Sequence, residues 1–478
     1  MILKRVYETS KDSKNRIAEI EENLYMAKKG ANLSCTIDID AKKTFQTFKG
    51  FGCAVTESSG FVLSFLSEDA QQKIMADCFS SKGNGYVFAR THMNSCDFSL
   101  DNWACVQNKD ETLESFSFKR TDLYMTPALR HAVWQNKKLS VIVTPWSPPA
   151  WMKTNNDMNN GGKLKREYFQ LWADYFVKFL KGLELRGISV GYVSVQNEGE
   201  AIQTWDSCLW TGAEEADFAV NYLKPALVKN GLGNIKILVW DHNRDNMVSC
   251  MKECFSVPGA EDVIDGIAYH WYSGDQYENV AECAAVHPDK ELFFTEGCIE
   301  GGAKPGKWFC GERYGHNIIN DINAGCTAWI DWNMVLDIEG GPNHVGNFCD
   351  APILVNTETK EILYQSTFYY IGQFSRFIRP GSKRIGCTMS PFMVPAACDG
   401  KMGNMMESTA FITPEGKVVL VVMNRTEDDM VFELNFVQDD VQDKNCSKVY
   451  TSKVSDENKT RCFICPPRAI QTYIFEAK

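Results

Sequence analysis

From about Phe48 onward, short apolar runs alternate with amphipathic stretches. Eight such runs follow one another, and polar loops and segments with helical spacing separate them. Helical spacing, with apolar residues recurring every three or four positions, is clearest over residues 166–186 and 214–230. Eight strand–helix units in succession predict an α/β fold, a parallel (β/α)8 TIM barrel. The runs are Phe48–Val55, Tyr86–Met93, Leu139–Trp146, Val190–Glu198, Ile235–His242, Ile264–Tyr272, Glu291–Cys298 and Cys326–Asn333.

A doubly wound open sheet uses the same strand–helix units and is the structural rival. Such a sheet usually carries a glycine-rich phosphate turn after an early strand. The segment GCAVTESSG at residues 52–60 does not match that pattern. The barrel is therefore the favoured fold.

The pattern changes near residue 376, where short alternating runs separated by turn-like clusters begin. Val418–Met423 and Met430–Phe436 are examples. Alternation of this kind predicts a side domain, an antiparallel β-sandwich. Because Cys35–Phe45 has the same character, we expect residues 1–47 to contribute to the sandwich, 48–375 to form the catalytic barrel and 376–478 to form the rest of the sandwich.

Composition and charge narrow the class of protein. The 478 residues carry 50 basic and 61 acidic side chains, a net charge of −11, which argues against nucleic acid as a partner. No apolar run is long enough to cross a membrane. The first thirty residues are charged throughout and lack the apolar run of a secretory signal, so we expect a cytoplasmic protein.

Cysteine and histidine patterns give no sign of a metal or cofactor. The 18 cysteines are scattered, and the one tight pair, Cys462 and Cys465, has neither a second pair nor a histidine nearby. A closed zinc site needs four ligands. The seven histidines form no pair at spacings of two or four. We expect reduced thiols, no metal and no cofactor.

Carboxylates end two of the predicted strands. The fourth run ends in Asn197 and Glu198, and the seventh in Thr295 and Glu296. A barrel gathers the carboxyl ends of its strands in one cup. Hydrolysis of a glycosidic bond needs two carboxyl groups around one anomeric carbon, and a gap of about 5–5.5 Å gives retention of configuration. Alone, either glutamate could be a helix cap or half of a salt bridge, but the pair favours glycoside hydrolysis.

Longer motifs make the resemblance specific. They include Ser95–Ser99 (SCDFS), Thr144–Thr154 (TPWSPPAWMKT), His270–Tyr272 (HWY) and Glu339–Asn343 (EGGPN). In this order the motifs resemble family 30 glycoside hydrolases, the group containing lysosomal glucosylceramidase. That family has an Asn-Glu pair after strand four and a Glu after strand seven. The resemblance extends over nearly the whole chain and implies the same barrel and side sandwich.

The resemblance also implies roles for individual residues. Glu198 is then the acid/base and Glu296 the nucleophile. Asp97 accepts hydrogen bonds from sugar hydroxyls, and Asn197 holds the 2-hydroxyl. The remaining substrate-binding residues are Trp146 and Trp332 as walls of the sugar pocket, Arg90 and Tyr272 beside Glu296, His270 behind them, Asn343 on a loop at the rim and Trp205 on the leaving-group side.

One departure from the family affects the fourth strand. Gly199 and Glu200 follow Glu198 where the family commonly has a proline, and Glu200 is a rival for the acid role. Because two adjacent carboxyls resist carrying two charges, we expect the pKa of Glu296 to lie low beside Arg90 and that of Glu198 to lie high.

These motifs predict a retaining β-glucosidase or glucosylceramidase-type enzyme that acts on a small or glycolipid β-glycoside. A β-1,6-glucanase, a β-xylosidase and a β-fucosidase of the same family are the alternatives. A carbohydrate-binding barrel without turnover is a further alternative, which the presence of both glutamates disfavours.

Overall fold

The eight apolar runs form eight parallel strands that close into a barrel in the computed structural model, which describes residues 1–28, 30–391, 406–437, 451–453, 455, 456, 459, 460 and 462–477. Neighbours around the barrel follow chain order, and the last strand closes on the first. The prediction of a TIM barrel is confirmed. The strands are β1 Gly50–Ala54, β2 Phe88–Met93, β3 Ser140–Pro145, β4 Val190–Ser194, β5 Lys236–Asn243, β6 Gly266–His270, β7 Glu291–Glu296 and β8 Ala328–Asp331.

Side chains fill the barrel's interior. A buried cluster of Phe88, Ile142, Tyr192, Leu238, Ala268, Phe293, Ala328 and Ile330 draws on seven of the eight strands. On β1 the corresponding position is Gly52, where an added Cβ would lie 2.5 Å from the carbonyl oxygen of Phe88. Layers of this kind make the barrel a solid core, and truncating a residue such as Phe293 to alanine costs about 3–5 kcal/mol.

Helices and short turns connect the strands. The predicted helix at 166–186 is a 3-10 turn, Arg166–Tyr168, followed by the α-helix Phe169–Leu185. The other segments of this part of the chain are helices Glu57–Leu63, Glu68–Phe79, Lys119–Leu123, Met125–Gln135, Ala150–Met152, Met247–Cys254, Ala260–Val263 and Tyr277–Val286, and strands Val335–Asp337, Ile353–Val355 and Ile362–Tyr364.

The predicted helix at 214–230 contains a π-turn. It runs as Gly212–Phe218, the π-turn Ala219–Leu223 and Lys224–Lys229. Pro225 lies two residues beyond the end of the π-turn, and proline has no N–H to donate to the carbonyl one turn earlier. A π-bulge accommodates this missing hydrogen bond without ending the helix.

The ends of several barrel strands have an unusual backbone. Asn94, Glu198, Asp241 and Asn333, which lie at or just after the ends of β2, β4, β5 and β8, have φ angles of +65°, +49°, +46° and +59°. Side chains other than glycine rarely adopt this left-handed conformation, which costs about 1–3 kcal/mol where the surrounding structure imposes it. Backbone strain of this kind is therefore present at the carboxyl ends of four barrel strands, as it is at other positions such as Leu113 and Lys360.

The second compact unit contains a ten-stranded sheet. Most neighbouring strands are antiparallel, but Cys35–Thr47 pairs in parallel with Met430–Val437. The predicted side β domain is confirmed. Its strands are Ile2–Ser10, Ala18–Glu19, Cys35–Thr47, Lys383–Ser390, Met406–Ile412, Val418–Asn424, Met430–Val437, Thr451–Lys453, Cys462–Cys465 and Ala469–Glu476, and a separate pair joins Ser455–Asp456 to Lys459–Thr460.

The two compact units of the structure do not have the same boundaries as the domains predicted from the sequence. The first unit comprises 51–306 and 328–365, and the second comprises 1–50, 307–327 and 366–478. Helices Trp308–Ala324 and Ser366–Ser375 therefore belong with the sheet, as does the short helix Glu22–Tyr25. The predicted boundaries at residues 47 and 375 stay predictions. No helix in the described part of the chain is long and apolar enough to cross a membrane.

Candidate active site

Glu198 and Glu296 face each other across the carboxyl end of the barrel. One carboxylate oxygen of each, together with a ring nitrogen of His270, lie within 4.8 Å of one another. Glu296 is the last residue of β7, and Glu198 follows β4 after a short extension. A gap this short leaves no room for a water molecule between the carboxylates and a sugar, which is the arrangement of retaining glycosidases.

Arg90 and Tyr272 hold the Glu296 carboxylate. Arg90 on β2 donates from Nη1 to Oε2 at 2.6 Å, and Tyr272, which follows β6, donates to Oε1 at 3.0 Å. Arg90 is fully buried and also donates to Oδ1 of Asn197 at 2.8 Å. The guanidinium therefore ties the nucleophile candidate to the Asn-Glu pair of the fourth strand.

Glu198 is held by imidazoles rather than by a cation of fixed charge. Nδ1 of His270 lies 3.0 Å from Oε1 of Glu198, and Nδ1 of His242 lies 3.7 Å from the same atom. The backbone N–H of Glu198 donates to the carbonyl oxygen of Asp241 at 2.9 Å, which fixes the residue in its left-handed conformation. His270 was expected behind Glu296, but its direct partner is Glu198.

Asp241 is the residue that joins both halves of the site, and the sequence analysis missed it. It is fully buried and accepts hydrogen bonds from Arg90 at 2.9 Å, from Oγ1 of Thr295 at 2.5 Å and from Nε2 of His270 at 3.1 Å. The register of β5 against β6 shifts between Trp240 and His242, which turns Asp241 inward. The sequence does carry a signal for Asp241, the same one that indicates the two glutamates: polar residues at the end of an apolar run.

The pKa values of the two glutamates are ordered opposite to expectation. Burial opposes ionisation of Glu198, but the adjacent His242 and His270 outweigh it and hold its pKa well below the usual range. Burial raises the pKa of Glu296 despite the opposing charges of His270 and Arg90. The expected order rested on the charges of the two carboxylates and Arg90 alone. The imidazoles beside Glu198 reverse it.

His270 is the basic centre of the network. Burial alone would lower its pKa, but the negative charges of Glu296, Asp241 and Glu198 raise it to about 9. At neutral pH the ring is then an imidazolium, donating from Nε2 to Asp241 and from Nδ1 to Glu198. The proton nearest the reacting centre is accordingly shared between His270 and Glu198.

A cavity of about 170 Å³ opens beside these groups. Trp146 and Trp332 line it and stack on each other, with ring centroids 5.3 Å apart. Arg90 lies over both rings, 4.8 and 5.4 Å from their centroids. Both tryptophans thus lie where the sequence analysis expected the sugar walls.

Asp97 lines the same cavity and is fixed from behind. Its Oδ2 accepts hydrogen bonds from the side-chain amides of Asn343 at 3.1 Å and Asn347 at 3.3 Å. Burial, with the nearby charge of Glu296, raises the pKa of Asp97 to about 7. Asn343 is buried beneath the cavity rather than exposed at its rim, and Asn347, which the sequence analysis missed, is the member of that loop that lines the cavity.

The fourth-strand loop separates Trp205 from Glu200. Trp205 lines the cavity, as do Asn197 and Tyr272. Glu200 is exposed and accepts a hydrogen bond from Asn246 at 3.0 Å, outside the cavity lining of the described residues. Gly199 is tightly packed, since an added Cβ would lie 3.2 Å from Oε1 of buried Glu215. The geometry therefore leaves Glu198 as the carboxylate that faces Glu296.

Comparison with known proteins agrees with this geometry. Residues 48–378 match the glycosyl hydrolase family 30 TIM-barrel domain, and residues 381–473 match the β-sandwich domain of the same family. The chain is similar to the lysosomal acid glucosylceramidase of Mus musculus, with 32% identity over 413 residues covering 82% of this chain and 78% of that protein.

The chain is also similar to a glucanase sequence and to a solved bacterial structure. An endo-1,6-beta-D-glucanase of Neurospora crassa is 26% identical over 360 residues, which cover 73% of each chain. The crystal structure of SrfJ from Salmonella typhimurium superposes with a TM-score of 0.87 at 32% identity, covering 99% of both chains. With two facing glutamates in a family-matched barrel, the chain belongs to glycosyl hydrolase family 30.

Proposed function

We propose that this glycoside hydrolase is a retaining β-glucosidase of the glucosylceramidase type, which releases a terminal β-linked glucose by double displacement. The observation that carries the proposal is the approach of the Glu198 and Glu296 carboxylates to within 4.8 Å of each other. Retaining glycosidases keep their carboxyl groups about 5–5.5 Å apart, whereas inverting enzymes need about 6.5–9.5 Å.

Glu296 is the proposed nucleophile. Its Oε2 is bound by Arg90 and its Oε1 by Tyr272, so both hydrogen bonds favour the ionised carboxylate that must attack. Attack at the anomeric carbon forms a glycosyl ester and releases the aglycone. Arg90 and Tyr272 then stabilise the carboxylate again when water displaces the sugar.

Glu198 is the proposed acid/base, and His270 supplies and takes back its proton. In the resting enzyme the proton lies on the imidazolium of His270 and Glu198 is ionised. As the glycosidic oxygen leaves, this proton crosses the 3.0 Å contact to Glu198, which donates it to the oxygen, so that His270 is left neutral and Glu198 ionised. In the second step Glu198 accepts a proton from the attacking water and His270 takes it up. Asp241 stabilises the imidazolium throughout, since it accepts from Nε2 at 3.1 Å.

The sugar ring is held by the cavity lining. Asn197 presents its amide to the 2-hydroxyl, because its Oδ1 already accepts from Arg90 and leaves the N–H groups to donate. Asp97 accepts from hydroxyls remote from the anomeric carbon. Trp146 and Trp332 offer apolar faces that suit the C–H face of a pyranose, and Trp205 borders the leaving group.

Two observations support a proposal for the substrate: the similarity of the chain to its relatives and the size of the cavity. A glucosylceramidase is the relative with higher identity, 32% against 26% for an endo-glucanase, and the volume of about 170 Å³ suits one sugar ring better than a chain of several. We therefore propose glucosylceramide or another glucoside with an apolar aglycone as substrate. A cytoplasmic location stays a prediction.

The test compares substrates and follows stereochemistry. The purified protein is assayed with 4-nitrophenyl β-glucoside, β-xyloside and β-fucoside, with glucosylceramide in detergent, and with reduced β-1,6-linked gluco-oligosaccharides. We expect the highest kcat/KM on glucosides, activity on glucosylceramide, and β-glucose as the first product by NMR. A first product with the α configuration contradicts retention, and internal cleavage of the oligosaccharides supports the β-1,6-glucanase alternative.

A further inference from the structure

Two thiols line the catalytic cavity in addition to the groups that the mechanism uses. Cys298 lies two residues beyond Glu296, and Cys349 lies on the loop that follows β8. Their backbones run side by side, because the N–H of Asp350 donates to the carbonyl oxygen of Ile299 at 2.8 Å and Glu300 forms an antiparallel bridge with Cys349. The two side chains therefore meet at one wall of the cavity.

Polar contacts connect this pair to the nucleophile. Sγ of Cys298 lies 3.4 Å from the hydroxyl of Tyr272, which itself donates to Glu296 at 3.0 Å. Cys349 packs in the same buried cluster as Cys298, and its Sγ lies 3.8 Å from the carbonyl oxygen of Asn347. One wall of the cavity thus carries two sulfurs, a phenol and a carboxylate in sequence.

Buried cysteines usually act as small apolar fillers. Cys250 and Cys254, one turn apart on helix Met247–Cys254, fit that description because both are buried and neither lines the cavity. Cys298 and Cys349 are equally buried, with 1% and 2% exposure, but they border the space that a ligand enters. Their position relative to the cavity, and not their burial, distinguishes them.

We propose that Cys298 and Cys349 form an inhibitory binding site for a soft monovalent metal ion, Cu(I), for which Ag(I) is a redox-stable probe. Thiolates select soft ions, whereas a zinc site requires four ligands and this pair provides two. Binding replaces S–H protons with the metal, and the protons pass to solvent.

Inhibition follows from the place of the metal. A cation on Cys298 would stand beside the Tyr272 hydroxyl and attract the Glu296 carboxylate, which must remain free to attack. The metal and the sugar would also compete for the same space. This consequence rests on the proposed function, whereas binding of the metal to the two thiols does not.

The experiment titrates the reduced, metal-free protein with silver nitrate in chloride-free buffer without added thiol. Residual hydrolysis of 4-nitrophenyl β-glucoside gives the inhibition constant, and native mass spectrometry counts bound silver independently of activity. Cys349→Ala removes one ligand, and Cys250→Ala is the matched control, since it removes one thiol from a close buried pair elsewhere. Saturating glucose tests whether the sugar protects.

We expect the wild-type protein to lose activity on binding silver and to recover it with excess dithiothreitol. Cys349→Ala should weaken inhibition by about tenfold or more, because a two-sulfur site becomes a one-sulfur site, and it should bind one silver ion fewer. Cys250→Ala should keep the wild-type inhibition constant. Equal sensitivity of wild type and Cys349→Ala overturns the proposal, as does silver bound at this pair without inhibition. If no glycoside is hydrolysed at all, the proposed function fails, and the silver count still decides the metal site.

Discussion

The Nδ1 atom of His270 lies 3.0 Å from Oε1 of Glu198, so the acid/base candidate shares its proton with an imidazole. The opposite ring nitrogen of His270 contacts Asp241, which also binds Arg90 and, through it, the nucleophile side of the cup. The two carboxylates of the reaction are thus linked by a continuous chain of charged groups, and their protonation states depend on each other.

The first prediction concerns the pH profile. The pKa of His270 is raised to about 9, so the protonated pair exists below that pH and is lost as pH rises through it. In His270→Asn, Glu198 must hold the proton alone, and we expect the alkaline limb of kcat/KM to move to lower pH. His287→Asn, outside the cavity, is the control and should leave the limb in place. If the alkaline limb of the His270→Asn profile is unchanged, His270 does not take part in proton transfer to Glu198.

Glu296→Gln should abolish turnover of every substrate, including those with good leaving groups, because no glycosyl-enzyme forms. The loss should be at least about a thousandfold, on the scale seen when catalytic nucleophiles are removed. Glu291→Gln makes the same change at the other end of β7 and should retain activity. Comparable residual activity in the two variants would place the nucleophile elsewhere.

Glu198→Ala should keep the first step on substrates with good leaving groups, which need little proton donation, and slow the second. Added azide should restore turnover and yield a β-glucosyl azide. The matched variant is Glu200→Ala, which removes an exposed carboxylate two residues away and should behave as wild type. An α-azide as the product contradicts the retaining mechanism, and azide rescue of Glu200→Ala instead would reassign the acid/base.

Asp97→Asn should raise KM for glucosides by about ten- to a hundredfold, since one charged hydrogen bond contributes about 1.5–3 kcal/mol. The effect should shrink for β-xylosides if one of the hydroxyls that Asp97 binds is that of the hydroxymethyl group, which xylose lacks. Asp101 lies on the same loop but is paired with Arg120 at the surface, so Asp101→Asn should leave KM unchanged for both glucosides and xylosides. An equal loss on both sugars would show that Asp97 does not read that group.

Trp205→Ala should raise KM for glucosylceramide more than for 4-nitrophenyl β-glucoside, because Trp205 borders the cavity on the proposed aglycone side. Trp210→Ala, a buried tryptophan of the same loop region, reports what simple loss of packing does. If Trp205→Ala affects both substrates equally and resembles Trp210→Ala, its role is packing.

The sequence predicted the strands well because each barrel strand is a continuous apolar run, and a buried parallel strand leaves that pattern regardless of its neighbours. It predicted Glu198 and Glu296 because both interrupt such a run at its end. It missed Asp241, although polar residues end that apolar run as well, and it missed the contact of His270 with Glu198. Only the register shift in β5 turns Asp241 towards the site, and a contact between distant residues leaves no local pattern.

The order of the two pKa values was wrong for the same reason. Charge neighbours such as His242 and His270 lie 44 and 72 residues from Glu198 along the chain, and only folding brings them to its carboxylate. Asn343 illustrates a smaller error. Its loop position was evident from glycine and proline, but whether its amide points into solvent or beneath Asp97 is decided by packing.

The left-handed backbone at Asn94, Glu198, Asp241 and Asn333 has a consequence for the protein's evolution. At each position glycine would relieve a conformational cost of about 1 kcal/mol or more. If stability were the only requirement, glycine would therefore be favoured at these four positions. At Glu198 and Asp241 the chain thus carries a backbone cost that glycine would avoid, and in return it keeps the two carboxylates that contact His270.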